Sequence, residues 1–265
     1  MSLRVCVLAS GSAGNALLVR GPAGTLLVDA GLTLKELGRR LAQADCDPGE
    51  LVGVLVTHEH GDHAGGAGVL ARRLGLPIWL SRGTARAAAR QWRGGERLEF
   101  VADGARFHAA GIDIEAWSCS HDAAEPLQFG FRAGEASLAV CTDLGHATPR
   151  VEECLRGRHM LVLEANHDRE RLLAGPYPWY LKRRILGERG HLSNGQSAQL
   201  LARVAGADLK GVVLGHLSKE NNLPGLALDA AGEALTSRGR ADLSLFVAEQ
   251  DKAGLWLDVF SGRTC

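Results

Sequence analysis

The segment Thr57-His-Glu-His-Gly-Asp-His63 places three imidazoles and a carboxylate within six positions, in a chain of 265 residues that holds ten histidines in all. Neutral imidazole nitrogen and carboxylate oxygen are the donors that zinc and related divalent cations accept. Side chains two apart on an extended segment point to the same side, so His58 and His60 form one donor pair. Asp62 and His63, at the first turn of a following helix, form a second pair that can face the same point. Two pairs side by side can serve two cations.

These donors need rigid neighbours. Val52–Thr57 is a continuous apolar run of strand length, as expected of a strand covered on both faces, and it ends where the motif begins. Ahead of it, Arg4–Ala9, Asn15–Arg20 and Thr25–Ala30 read as strands separated by glycine turns, and Leu34, Leu37 and Leu41 predict a helix over Thr33–Ala44. After the motif the pattern predicts a helix over Asp62–Leu74, a strand over Leu76–Leu80 and a helix over Thr84–Trp92. Ile112–Ser118, Leu127–Arg132 and Ser137–Thr142 read as strands. The helix-rich remainder is interrupted by apolar runs at Met160–Leu163 and Gly211–Leu214, with late strands at Leu243–Ala248 and Leu255–Phe260. Two strand-rich blocks, each followed by helices, predict an α/β sandwich with sheet on sheet inside and helices outside. No linker composition marks a boundary, so residues 1–265 are expected to form a single domain.

Thirty Lys and Arg balance thirty Asp and Glu, and 46% of the residues are hydrophobic. Neutrality excludes a polybasic tail as the main device for holding nucleic acid or a membrane surface. No 18-residue apolar run is present, and the start lacks a basic stretch followed by a long apolar one. The expected location is the cytoplasm, with six scattered cysteines as reduced thiols. Thirty-four glycines point to many tight turns.

His-x-His-x-Asp-His after an apolar strand resembles the metallo-β-lactamase superfamily, and the resemblance extends over nearly the whole chain. It implies the αββα sandwich of that fold, two mixed β-sheets with helices on the outer faces. It further implies His121, Asp143 and His216, each following an apolar run, as the remaining ligands. Two divalent metal ions (Zn, Mn or Fe) would then be held, one by His58, His60 and His121 and the other by Asp62, His63 and His216, with Asp143 between them. Cys119 and Cys141, two residues before ligands, read as buried strand cysteines. Leu8-Ala-Ser-Gly-Ser-Ala-Gly-Asn15, Leu27-Val-Asp-Ala-Gly31, Ser120-His-Asp-Ala-Ala-Glu-Pro126, Glu164-Ala-Asn-His-Asp168, Gly190-His-Leu-Ser-Asn194 and His216-Leu-Ser-Lys-Glu-Asn-Asn222 resemble one subgroup, the YycJ/WalJ-like proteins, regarded as 5′-to-3′ exonucleases.

Under that resemblance, the expected reaction is phosphodiester hydrolysis, with a hydroxide held between two cations and oriented by Asp62. Glu164 and His167 follow the run Met160–Leu163 and resemble the proton-shuttling pair of ribonuclease Z-type enzymes, to protonate the leaving oxygen. Ser193 and Gln196 have capping-box spacing at the start of a helix reaching about Val204. With His191 beside it, that N-terminus (Ser193, Asn194) reads as a phosphate-binding corner. Both tyrosines, a tryptophan and the cations Lys182, Arg183 and Arg184 crowd into 175–184, which suits a stacked, neutralised single strand or equally a packed helix with a solvated basic face. Gly11–Asn15 reads as a turn, with Ser12 and Asn15 as residues that could also line the site. Nucleic acid, DNA or RNA, is expected as a transient substrate, with no membrane and no obligate protein partner. The alternative is a small-molecule thioester, lactone or cyclic phosphodiester hydrolase on the same metal site. Metal identity, polarity and oligomeric state are left open by the residues.

Overall fold

A computed structural model of the chain describes residues 3–265. The first half runs β1 (Arg4–Ala9), β2 (Ala16–Gly21), β3 (Gly24–Val28), α1 (Leu34–Gln43), β4 (Leu51–Leu55), α2 (Gly61–Ala64), α3 (Ala67–Leu74), β5 (Pro77–Leu80), α4 (Arg82–Ala87) and β6 (Arg97–Phe100). The second half runs β7 (Arg106–Ala109), β8 (Ile112–Ser118), β9 (Leu127–Ala133), β10 (Ala136–Cys141), α5 (Pro149–Leu155), β11 (Met160–Glu164), α6 (Arg169–Ala174), α7 (Trp179–Leu186), α8 (Asn194–Val204), β12 (Gly211–Gly215), α9 (Pro224–Ser237) and β13 (Ser244–Val247). Two short strands, β14 (Leu257–Asp258) and β15 (Arg263–Thr264), close the chain.

The strands form two sheets, β15-β14-β1-β2-β3-β4-β5-β6 and β13-β12-β11-β10-β9-β8-β7. Within each, an antiparallel meander passes into parallel strands: β1 to β3 then β4 to β6, and β7 to β10 then β11 to β13. Between the sheets Val5, Val7, Leu17 and Val19 meet Phe129, Phe131, Leu138 and Val140. The alternate residues Cys6, Leu8 and Leu18 point the other way, under Leu37 and Leu41 of α1 and Leu70 of α3. On the far side Leu161, Leu163, Val212 and Leu214 lie under Val151 of α5, Leu200 and Leu201 of α8 and Ala227 of α9. Both faces of the central strands are therefore dry, which is why their sequences read as continuous apolar runs. The layers are helix, sheet, sheet, helix, as the α/β sandwich reading required.

Four expectations change. The single helix over Asp62–Leu74 is broken into α2 and α3 at Gly65-Gly66, because Gly66 N–H donates to the carbonyl of Ala30 at 2.7 Å and a Cβ there would lie 2.4 Å from the carbonyl of Leu32. The strand expected to reach Thr57 stops at Leu55, since Thr57 N–H donates to the Asp29 carboxylate rather than to a neighbouring strand. Leu255–Phe260 contributes only the two residues of β14, and Thr84–Trp92 becomes α4 plus a turn of tighter helix.

Candidate metal centre

All the parallel strands of both sheets, and β8, which runs parallel to β10, end at one edge of the sandwich. Asp29 follows β3, the motif loop follows β4, His121 follows β8, Asp143 follows β10, Glu164 ends β11 and His216 follows β12. Asp29, Asp143 and His216 have φ of 60°, 57° and 55°, the left-handed region that non-glycine residues adopt rarely. Such strain persists where the surroundings impose it, and it is enriched at functional sites. The motif loop is clamped by its backbone: Asn15 N–H donates to Asp62 O, and Ala30 N–H to His63 O, both at 2.7 Å. Gly31 permits this contact, since a Cβ there would sit 1.7 Å from the carbonyl oxygen of Asp62.

The imidazoles are oriented from behind. A carboxylate only accepts, so His63 Nδ1–H donates to Asp29 Oδ2 at 2.8 Å and His216 Nδ1–H to Glu164 Oε1 at 3.0 Å. His121 Nδ1–H donates to the carbonyl of Gly190 at 3.2 Å. Each ring thereby turns Nε2 inward, without a partner in His121 and His216 and beside Asn15 Nδ2 in His63. Fixing one ring nitrogen so that the other can ligate is the usual support of a metal-binding histidine. His58 Nε2 and His60 Nδ1 converge to 2.9 Å. Asp143 turns Oδ2 to His63 Nε2 at 3.1 Å and Oδ1 to His121 Nε2 at 3.8 Å, while Asp62 Oδ2 lies 3.6 Å from His63 Nε2 and 3.9 Å from His216 Nε2.

Donor atoms come within 4.8 Å of one another in the sets His58-His60-His121, Asp62-His63-His216 and His58-His63-Asp143. Three of these buried atoms, His121 Nε2, His216 Nε2 and Asp143 Oδ2, have no hydrogen-bond partner. An unpaired buried polar atom is costly, and a cation would satisfy all three, so the residues fit divalent metal. A fourth set, Asp143-Glu164-His191-His216, is equally close. Glu164, however, already accepts from His191, His216 and the amides of Leu144 and Leu192.

Burial and mutual repulsion with His63 hold the His58 pKa well below the usual value, and burial lowers that of His121. Both rings are thus neutral and able to ligate. Burial opposes charge on His63, but Asp143 and Asp29 outweigh it and raise its pKa. Burial likewise opposes ionisation of Asp143, yet His216 and His63 hold its carboxyl well below the ordinary range. Glu164, buried and opposed in the same way, is lowered to about 2 by His191 and His216.

Above these donors lies a cavity of about 300 Å³, lined by His60, Asp62, His121, Asp143, His191 and His216 together with residues of α7. His191 keeps its Nδ1 on Glu164 Oε1 at 2.8 Å, which leaves Nε2 as the nitrogen able to meet a ligand. All seven ligands expected from sequence are brought together here.

The other expected residues divide. His167 is fully buried, lies outside the cavity lining, and both its ring nitrogens lack partners. Glu164 is also fully buried, with its oxygens taken, whereas His191 lines the cavity. The N-terminus of α8 is not an open phosphate corner. Ser193 Oγ accepts from Gln196 N–H, Gln196 reaches back to Ser193, and Asn194 is buried in a reciprocal pair with Asn222. Lys182 is buried and its ammonium donates to the carbonyls of Leu173 and Gly175, while Arg183 points to solvent away from the cavity. Of the three adjacent cations Arg184 alone lines the cavity. Cys119 and Cys141 belong to none of the donor sets.

Several contributors escaped sequence reasoning. Asp29 lies inside Leu27-Val-Asp-Ala-Gly31, and its position at a strand end was the available signal. Thr57 Oγ1 bridges Asp29 and His58. Ser12 and Asn15 were expected as possible site residues: Ser12 lines the cavity, and Asn15 Nδ2 lies 3.0 Å from His63 Nε2. Arg189 carried no signal. It enters the cavity because its Nε donates to the carbonyl of His121.

Residues 9–152 match the model of the metallo-beta-lactamase superfamily. The chain belongs to that superfamily. It is 38% identical over 248 residues to exodeoxyribonuclease YycJ of Bacillus anthracis, covering 90% of this chain and 91% of that protein. It is 37% identical over 238 residues to exodeoxyribonuclease WalJ of Streptococcus pneumoniae, covering 86% of each. The fold is shared with the metallo-beta-lactamase fold protein YhfI from Bacillus subtilis (TM-score 0.73, 14% identity, 96% and 99% coverage of this chain and that one) and with the short form of human tRNase Z (TM-score 0.64, 15% identity, 95% and 98%). No helix among the described residues is long and apolar enough to cross a membrane.

Proposed function

We propose that this chain is a metal-dependent phosphodiester hydrolase acting on DNA as an exonuclease of the 5′-to-3′ kind, with nucleic acid as a transient substrate. The observation that carries the reading is the group of unpartnered atoms, His121 Nε2, His216 Nε2 and Asp143 Oδ2, on the floor of one cavity beneath His191. Two relatives named as exodeoxyribonucleases, similar over most of their length, support it. His58, His60 and His121 would hold one divalent cation and Asp62, His63 and His216 a second, with Asp143 within reach of both sets. Such cations supply Lewis acidity, activating water at neutral pH and drawing charge from the phosphate.

The chain's own residues do the rest. His191, held by Glu164, presents Nε2 to the cavity and donates a proton to the leaving oxygen as water adds to phosphorus and the P–O bond breaks. With its side chain 21% exposed, His191 regains that proton from solvent. Arg184 and Arg189 add fixed positive charge at the wall where phosphate charge grows. Asp29 and Glu164 keep the rings aimed, so little reorganisation accompanies the reaction. Thioester or lactone hydrolysis would leave these arginines and the His191–Glu164 pair without a task.

The test is end-labelled single- and double-stranded DNA and RNA incubated with Mn- or Zn-loaded protein. DNA shortened progressively from its 5′ end is the expected result. Unaltered cleavage by both Asp62→Ala and His191→Ala would refute the reading.

A further inference from the structure

One wall of the cavity is α7 with the segment before it. Tyr177, Leu181, Arg184 and Ile185 line it, spaced four, seven and eight apart along one helical stripe. Tyr180, next to that stripe, is 71% exposed, and Trp179, further round the helix on the side of Arg183, is 60% exposed. Each stands four residues before an arginine, Arg183 and Arg184, so ring and guanidinium are neighbours on the helix surface. The helix is firmly seated: Lys182 Nζ donates at 2.6 Å and 2.7 Å to the carbonyls of Leu173 and Gly175. Arg189 is oriented by the carbonyls of His121 and Ala123, which aim its charge without neutralising it. Arg184 pairs with Asp122, but both side chains are half exposed, and such a pair exchanges readily for another anion.

Two large aromatic faces held in water beside cations, on a helix that walls a site read as hydrolysing phosphodiesters, suit stacked bases and their phosphates. The cavity is at the small end for a ligand pocket. Resting on the nuclease reading above, we infer that α7 is a track for single-stranded DNA leading from the metal centre. Bases of successive nucleotides stack on Tyr180 and Trp179, and Arg184 and Arg189 take the phosphates between them. Because every base has a stacking face, the track is blind to sequence and makes substrate affinity depend on strand length.

The test compares the full-length metal-loaded protein with its Trp179→Ala/Tyr180→Ala double variant on bis(p-nitrophenyl) phosphate and on a short oligothymidylate. It also measures anisotropy of a labelled oligothymidylate with metal-free protein. Both side chains are exposed, so the variant is expected to fold. Turnover of the small phosphodiester should be unchanged, because neither Trp179 nor Tyr180 belongs to the cavity lining. KM for the oligonucleotide should rise roughly tenfold or more, with kcat little altered, since stacking is worth about that factor per base. The anisotropy Kd should weaken by the same factor, and Trp179→Phe/Tyr180→Phe should restore both. Unchanged KM and Kd in the alanine variant would overturn the track, and tighter binding of a matched oligouridylate would overturn its assignment to DNA. Absence of any phosphodiester turnover in the wild type would instead overturn the hydrolase reading, with the anisotropy measurement still deciding the track.

Discussion

The two halves of the molecule follow the same course, an antiparallel meander leading into parallel strands, yet they deliver their metal-binding groups differently. The first half concentrates His58, His60, Asp62 and His63 in one loop after β4. The second supplies His121, Asp143 and His216 singly, each just past a different strand. A loop holding four donors is only as accurate as its clamp, here the backbone contacts to Asn15, Ala30 and Gly31. Donors on separate strand ends are each fixed by the sheet ladder and can be lost one at a time.

The largest effect should come from breaking the clamp. Gly31→Ala places a methyl against the Asp62 carbonyl and displaces all four loop donors together, so metal content should fall at both positions. His216→Ala should deplete one position only. Both should lower phosphodiester turnover by several kcal/mol, on the order of a thousandfold. Metal analysis showing equal stoichiometry in the two variants would break the contrast between halves.

The second half also carries a buried imidazole that belongs to no donor set. Burial holds His167 neutral, with its pKa lowered from 6.5 to about 4. In the unfolded chain it titrates at its ordinary value, so below pH 6.5 the unfolded state binds the proton first. The stability contributed by keeping it neutral is complete above pH 6.5 and is lost as pH falls toward 4, by about 3 kcal/mol. Denaturant unfolding between pH 7 and 4.5 should show this slope in the wild type and lose it in His167→Gln.

Each half has a carboxylate behind its histidines, and these sharpen the comparison further. Asp29→Asn and Glu164→Gln should each weaken metal affinity about 10- to 100-fold, measured by chelator competition. Glu164→Gln should also lower kcat, because Glu164 holds His191 as well as His216, whereas Asp29 holds no cavity-lining residue besides the loop. The smallest effect belongs to Lys182→Met. It removes two hydrogen bonds to carbonyls and should lower stability by about 1–2 kcal/mol in thermal melts, while leaving turnover of a small phosphodiester unchanged. A lysine that bound substrate would show the reverse.

The same contrast explains what could be read without coordinates. A loop motif is contiguous, so spacing and donor chemistry alone located it, and the apolar runs around it located the strands because both faces of each sheet are covered. His121, Asp143 and His216 were reachable only through resemblance, since nothing local distinguishes a histidine past a strand that meets metal from one that meets solvent. His167 and Glu164 follow the same strand and looked alike as proton donors. Packing separated them, sealing His167 behind the sheet edge and aiming Glu164 at two rings. Ser193 was correctly placed as a helix cap, but that very bond removes it from phosphate binding.

By itself, then, the order of residues determined the donor chemistry, the strand-and-helix pattern and the sandwich architecture, all of which depend on short-range spacing and on periodicity of burial. Which arginine reaches the cavity, which carboxylate orients which imidazole and which nitrogen is left free were decided only in the tertiary structure. Those outcomes depend on where strand ends distant in sequence are brought to one edge, and on hydrogen bonds such as Glu164 to His191 and His216, which no local pattern encodes.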